Sequence, residues 1–214
     1  MQSKIPKQFL LLNQKPIAKY SFDLFLSLPQ IIEMVVVCDA SYQNHFDLQD
    51  WEHPLTFAEP GERRQDSVLH GLQAMQTTPD LVCIHDAARP FIDSELVDRV
   101  LQAAADYGAA VAAMPVKFTL KESDSQGLVK NTPDRSRLWE VQTPQAIQPS
   151  LLMQGFQIAQ QRQLTVTDDA ALVELCHYPV KLVQGSYGNI KITTPEDLAY
   201  AEYIVGSQKS EFNR

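Results

Sequence analysis

The sequence predicts an α/β domain built on a mostly parallel sheet with helices on both faces. Three observations carry this reading. Short apolar, β-branched runs recur along the chain, segments of helical spacing alternate with them, and no repeat, low-complexity tract or linker breaks the order. A chain of 214 residues is long enough to bury a full core, so one domain over 1–214 is expected.

The elements follow in order. Ile17, Tyr20, Ser21, Leu24, Phe25 and Leu28 repeat at helical spacing with one mostly apolar face. Met34 to Cys38 reads as a buried strand. Arg64 to Met75 sets Val68, Leu72 and Met75 on one helical face, and Leu81 to Ile84 is a second buried strand ending at His85-Asp86. A helix begins at about Ser94 with Leu96, Val97, Val100, Leu101 and Ala104 inward. Asp93 or Ser94 caps it, and Gly108 supplies the left-handed stop. Ala110 to Met114 is a third strand.

Residues 117–137 break the rhythm. Ser123-Asp124-Ser125-Gln126-Gly127 makes a turn between Thr119-Leu120-Lys121 and Leu128-Val129-Lys130, which predicts a β-arm outside the main sheet. Such an arm needs a surface to pack on, and a second subunit is a reasonable one. Thr167-Asp168-Asp169 then starts a helix, with Thr167 a candidate cap, and Val180 to Val183 is a strand. Thr194-Pro195-Glu196-Asp197 joins a hydroxyl cap, a first-turn proline and acids that suit the helix dipole. The polar tail after Ser207 is expected to fray.

Composition narrows the function. A net charge of −8, from 18 basic and 26 acidic residues, argues against a nucleic-acid surface. No apolar run is long enough to cross a bilayer. The stretch from Met1 to Gln8 is polar, carries Lys4 and Lys7, and does not resemble a signal peptide, so a cytoplasmic location is expected. Cys38, Cys83 and Cys176 are odd in number and lack metal-ligand spacing, which predicts buried reduced thiols.

In a sheet of this kind ligands bind beyond the carboxyl ends of the strands. Lys7, alone, reads as a solvated surface lysine. The loop Gly61-Glu62-Arg63-Arg64-Gln65-Asp66-Ser67 reads either as a charged turn or as a set of N–H groups meeting a base or phosphate at a helix start. Asp86 and Arg89, in His85-Asp86-Ala87-Ala88-Arg89-Pro90, fit a metal ligand and its support at a strand end. His85 itself reads as a packed, hydrogen-bonded histidine. Lys191 interrupts an apolar, strand-like run from Asn189 to Thr193, where a charge needs a reason such as a phosphate. Lysines, an aspartate and an arginine around a sheet rim suit phosphoryl or nucleotidyl transfer.

Six motifs now stand in order: Pro6-Lys7-Gln8-Phe9, Gly61 to Val68, His85 to Pro90, Leu138-Trp139 with Gln142-Thr143-Pro144-Gln145, Thr167-Asp168-Asp169-Ala170, and Asn189 to Thr193. Together, over nearly the whole chain, they resemble the 2-C-methyl-D-erythritol 4-phosphate cytidylyltransferase family of the non-mevalonate isoprenoid pathway. The resemblance implies a Rossmann-like fold, a homodimer joined through the β-arm, and transfer of a cytidylyl group from CTP to the acceptor phosphate with Mg²⁺. It implies that Lys7 and Lys191 neutralise charge at the α-phosphate and that Asp86 lies by the metal. Gly61, Glu62, Arg64, Ser67, Ala87 and Arg89 would form the CTP site. Thr143, Thr167 and Lys191 would hold the acceptor, with Thr119 and Arg135 reaching it from the other subunit.

One departure stands out. The family begins with a strand and a glycine-rich loop, roughly Ala-Ala-Gly-X-Gly-X-Arg, just before the position of Met1. A start set too late is the favoured reading of this departure; if the chain truly begins at Met1, severely weakened CTP binding and a less stable sheet are expected. Two other readings share the motifs: a pentitol (ribitol 5-phosphate) cytidylyltransferase, and a non-catalytic remnant of the fold. Ala88 and the Leu138-Trp139 context favour methylerythritol phosphate, and the retained Lys7, Asp86, Arg135 and Lys191 oppose the remnant.

Overall fold

The computed structural model describes residues 5–46 and 51–212, with side chains to Ser207. The first four positions of the polar stretch read from Met1 lie outside the described residues. The chain opens with a short antiparallel ladder of β1 (Leu11–Leu12) and β2 (Lys15–Pro16), then α1 (Ile17–Leu26) and β3 (Met34–Val37). Next come β4 (Leu55–Ala58), α2 (Arg64–Gln73), β5 (Val82–Ile84), α3 (Ser94–Tyr107) and β6 (Ala109–Pro115). The arm strands β7 (Glu122–Ser123) and β8 (Val129–Asn131) precede β9 (Trp139–Ile147), α4 (Pro149–Gln161), α5 (Ala170–Leu175), β10 (Lys181–Gln184) and α6 (Pro195–Phe212).

The expected alternation holds, and three of the four strands of the main sheet share one direction, with a single antiparallel strand inserted among them. The order is β10-β6-β9-β5, with β10 and β6 parallel and β9 antiparallel to both its neighbours. Since β5 and β6 each oppose β9, they share one direction. The antiparallel insertion of β9 is what the sequence reading missed. Strands β3 and β4 form a separate parallel pair.

β9 misleads because its sequence is polar and contains Pro144. A proline has no N–H for a ladder and is expected at edges or bulges. The register explains the exception: Val111 faces Gln145 while Ala113 faces Val141, so Gln142, Thr143 and Pro144 sit in a bulge opposite Ala112. A bulge re-aims side chains. Here it re-aims Gln142 and Thr143.

Caps behave as the sequence predicts in two helices. Asp93 accepts the Leu96 N–H at 2.7 Å, and Gly108 ends α3 at φ 81°. Thr194 accepts the Asp197 N–H, while Asp197 accepts those of Thr193 and Thr194. Three expectations are corrected. Thr167 does not cap α5, because Asp168 accepts the Ala171 N–H and Gln145 accepts those of Asp169 and Ala170. The first arm strand is Glu122–Ser123 rather than 119–121, because Asp124 closes the turn by accepting the N–H groups of Gln126 and Leu128. Finally, α6 continues past Ser207 to Phe212.

The core lies on both faces of the β6–β9 region. On one side α4, α5 and the start of β6 enclose Leu152, Leu172, Ile147 and Ala109. On the other, Leu96, Val100 and Ala104 of α3 cover Ala110, Ala112 and Ala146. Alanines at this crossing let the helix approach closely. α4 and α5 are equally close: a Cβ at Gly155 would lie 2.4 Å from the Leu172 carbonyl oxygen.

β3 and β5 are different. Although apolar, they are only half-buried, and among the described residues β3 pairs only with β4 and β5 only with β9. Between them lies a cavity of about 910 Å³, lined by Val35, Val37, Val82 and Ile84 with Phe25 and Leu72 from the helices. Glu33, just before β3, accepts the N–H groups of Gln76 and Thr77, which lead toward β5. Both strands thus start at the same end of this slot. Among the described residues, no helix is long and apolar enough to cross a membrane.

Candidate functional site

Asp86 is the centre. It follows β5 directly, and its own N–H donates to Thr143 Oγ1 at 3.1 Å, which fixes its backbone against the β9 bulge. Three cations close on its carboxylate: Lys191 Nζ at 2.8 Å, Arg64 Nε at 3.1 Å and Arg89 Nε at 3.6 Å. Burial alone would raise its pKa. Arg64 and Lys191 more than offset that and hold it down at about 2. Asp86 is therefore ionised throughout the physiological range.

Each cation is held from behind. Arg64, the first residue of α2, gives two guanidinium hydrogen bonds to Asp169, at 3.0 and 2.7 Å. Asp169 is 1% exposed, and this fork-to-fork pair keeps Arg64 charged against the cost of burial. Arg89 donates to the Asn189 carbonyl at 2.7 Å, which ties down the loop that carries Lys191. That loop is a turn and irregular coil, not the strand-like run expected. It docks on the rim through Ile192 N–H to the Ala88 carbonyl.

His85 takes the structural role expected of it. Its Nε2–H donates to the Arg89 carbonyl and its Nδ1 accepts from the Thr143 hydroxyl, each at 3.0 Å. Burial pushes its pKa down to about 4. Both ring nitrogens are spent on scaffold. Thr143, whose hydroxyl serves His85 and Asp86, is likewise committed.

Lys7 stands in a single helical turn, Lys7–Phe9, close enough to Lys191 and Asp86 to feel both charges. Burial first, and Lys191 second, lower its pKa from the ordinary lysine value. The loop into α2 is shaped by contacts of its own. Ser67 Oγ accepts the Gly61 N–H at 3.0 Å and donates to the Arg63 carbonyl. A Cβ on Gly61 would meet Asp66 Cβ at 2.4 Å, so this position requires glycine.

Two cavities meet at the Asp86 cluster. A polar one of about 400 Å³ is lined by Arg64, Asp86, Arg89, Thr143, Thr167 and Lys191. The large apolar slot reaches the same wall at Arg64, Ser67, Asp86 and Ala87. Most residues singled out in the sequence are thereby brought together. Gly61 and Glu62 lie on the loop into α2 and line neither cavity. Thr119 and Arg135 remain on the arm, where Arg135 donates to the Lys117 carbonyl, and neither lines the polar cavity.

Three residues without an assigned role prove central: Asp169, Gln145 and Asn189. All are nearly fully buried, and Asn189 donates from Nδ2 to the Thr143 carbonyl at 2.8 Å. Among the described residues no group of three His, Cys, Asp or Glu side chains gathers as a metal cage. Asp86, an ionised carboxylate on the wall of the polar cavity, is the described residue that could hold a magnesium ion, with the remaining oxygen ligands coming from substrate and water.

Comparison with known proteins agrees with this geometry. Residues 1–207 match the family model for 2-C-methyl-D-erythritol 4-phosphate cytidylyltransferase. The chain is 46% identical to the Oryza sativa subsp. japonica protein of that name over 97% of this chain and 71% of the relative. Against the Chlamydia pneumoniae protein it is 43% identical over 95% and 92% of the two chains. Among solved structures, the Thermus thermophilus cytidylyltransferase superposes with a TM-score of 0.77 at 34% identity, covering 93% of each chain. An Anaerococcus prevotii 4-diphosphocytidyl-2C-methyl-D-erythritol synthase gives 0.86 at 28% identity with the same coverage. With its strand-end cluster, its two-cavity rim and its matched length, the chain belongs to the 2-C-methyl-D-erythritol 4-phosphate cytidylyltransferase family.

Proposed function

We propose that this protein transfers the cytidylyl group of CTP to 2-C-methyl-D-erythritol 4-phosphate, releasing pyrophosphate in isoprenoid precursor synthesis. The observation that carries this is the convergence of Lys191 and Arg64 on Asp86, with Lys7 close by, at the wall between the two cavities. The acceptor phosphate lies in the polar cavity beside Thr143, Thr167 and Lys191. The nucleotide lies on the Ser67 and Ala87 side, with Gly61 and Glu62 shaping its edge and Arg64 and Arg89 bracing it.

The chemistry asks little of a base. A phosphate monoester is largely dianionic at neutral pH and is already a nucleophile. One of its oxygens attacks the α-phosphorus, and the new P–O bond forms as the bond to pyrophosphate breaks. Pyrophosphate leaves with the electron pair of that bond. What opposes the step is repulsion between anions. Lys7 and Lys191 lower it by placing two cations where charge accumulates. Asp86 would hold a magnesium ion, which when bound would supply further charge neutralisation. The arm completes the scheme: its exposed Phe118, Leu128 and Val129 pack on a second copy, which brings Thr119 and Arg135 to the partner's acceptor site.

The test is pyrophosphate release from CTP and methylerythritol 4-phosphate with Mg²⁺, run with ribitol 5-phosphate as competitor. Lys191→Met should lower kcat by roughly 100-fold, the scale of a lost electrostatic stabiliser. Undiminished turnover in Lys191→Met, or a preference for ribitol 5-phosphate, would overturn the reading.

A further inference from the structure

We propose that Gln145 is a positioning residue that aligns the Asp86 cluster from inside the sheet. It stands on β9 between Ile84 of β5 and Val111 of β6 and is 1% exposed. A primary amide offers two acceptor sites and two donor hydrogens. Gln145 uses all four. Its Oε1 accepts from Asp169 N at 3.1 Å and Ala170 N at 2.9 Å. Its Nε2 donates to the Gln142 carbonyl at 3.2 Å and to Asp168 Oδ2 at 3.1 Å. The opposite amide orientation would set donors against donors, so the contacts fix the assignment.

The geometry gives this amide two tasks. The short helix α5 has no side-chain cap from Asp169, its first flanking residue; Gln145 satisfies the N–H groups of Asp169 and Ala170, and Asp168 that of Ala171. That releases the Asp169 carboxylate to grip Arg64, which in turn holds Asp86. On its other side the amide steadies Asp168, next to Thr167 in the polar cavity. A single buried side chain thus connects the β9 bulge, the acceptor-side loop and the Arg64–Asp86 pair. The inference rests on the cytidylyl-transfer reading for its catalytic consequence, and on the hydrogen bonds alone for its structural one.

Gln145→Glu keeps the shape and replaces the donor with an oxygen facing the Gln142 carbonyl and the Asp168 carboxylate. When ionised it repels Asp168; when protonated it can donate again. Burial and Asp168 both favour the protonated form as pH falls. In pyrophosphate release, kcat of Gln145→Glu should be down about tenfold at pH 8, the worth of one well-placed hydrogen bond. It should recover several-fold relative to wild type on lowering the pH to about 6. The pair Gln145→Glu with Asp168→Asn reverses donor and acceptor and should restore part of kcat at pH 8. Ile147→Val, a buried change on the same strand, should lower thermal stability without any such pH-dependent recovery.

Amide exchange supplies a readout independent of activity. In Gln145→Ala the N–H groups of Asp169 and Ala170 should exchange at least about tenfold faster than in wild type. If Gln145→Glu tracks the wild-type pH profile and the double variant rescues nothing, the positioning role is wrong. Unchanged exchange at Asp169 and Ala170 overturns it as well. A wild-type protein without turnover, but with the expected exchange pattern, would remove the cytidylyl-transfer reading and keep the relay.

Discussion

The charged residues of the cluster were easier to read than the residues that hold them. Lys191 and Asp86 announce themselves because a charge beside an apolar run is locally conspicuous. Asp169, Gln145 and Asn189 carry no such mark, since their burial is created by segments far away in the chain. Arg64 is 105 positions from Asp169, and Asn189 is 46 from Thr143. Sequence spacing could suggest the first group; only the packed structure reveals the second. His85 falls between, because its position after a strand forecast a packed histidine, and its partners then fixed the tautomer. It also makes a prediction at this scale. The folded state takes up its proton only near pH 4, whereas the unfolded chain does so near 6.5. The unfolded state therefore binds more protons between those values, and stability is lost as pH falls through that window. Full loss amounts to roughly 3 kcal/mol. Urea unfolding at pH 7 and pH 5 should show about 2 kcal/mol less stability at the lower pH, and His85→Gln should flatten most of that difference. An equal acid loss in His85→Gln would assign the window to other groups. Asp86, held near 2, titrates below it.

Among the elements, the strands and helices with strong period emerged directly. β3, β5, β6 and β10 all came from short apolar runs, and α3 from its cap, its inward face and its terminal glycine. β9 was lost because a central strand carrying Gln142, Pro144 and Gln145 contradicts every local rule for one. Its bulge reconciles the conflict. The same polar residues that hid the strand are those that build the site. The arm illustrates a different limit: its turn was legible through Asp124 and Gly127, but its pairing register slid by a few residues because no core pins it. Phe118 is 77% exposed, and Leu128 and Val129 are 62% exposed. On the proposed arm-mediated dimer, these three large apolar side chains would form the contact. Replacing Phe118 and Leu128 with serine should shift sedimentation velocity from dimer toward monomer and weaken acceptor KM, since Thr119 and Arg135 travel with the arm. A dimer that survives the change would relocate the interface.

At the scale of the whole molecule, the half-buried β3 and β5 set the balance of stability. A strand edge without a neighbour leaves backbone N–H and C=O groups unmet by the sheet, and among the described residues two such edges face one apolar cavity of about 910 Å³. The slot opens toward Asp86, Ala87 and Arg64, so whatever fills it also borders the charged cluster. An extended apolar segment with a glycine-rich loop, placed ahead of Met1, should raise the melting temperature by about 5 °C or more. It should also tighten CTP binding by calorimetry. A version of the same segment with prolines at alternate positions, unable to donate to either edge, should do neither. Equal behaviour of the two versions would show that the slot admits no strand.

The same slot bears on how the protein behaves in company. Paired edges pointing into a greasy trough form a template for any extended chain that meets them, including the exposed strands of another copy. Any edge-to-edge polymer formed on warming or concentration should therefore be cured by backbone partnership at these two edges rather than by added surface charge.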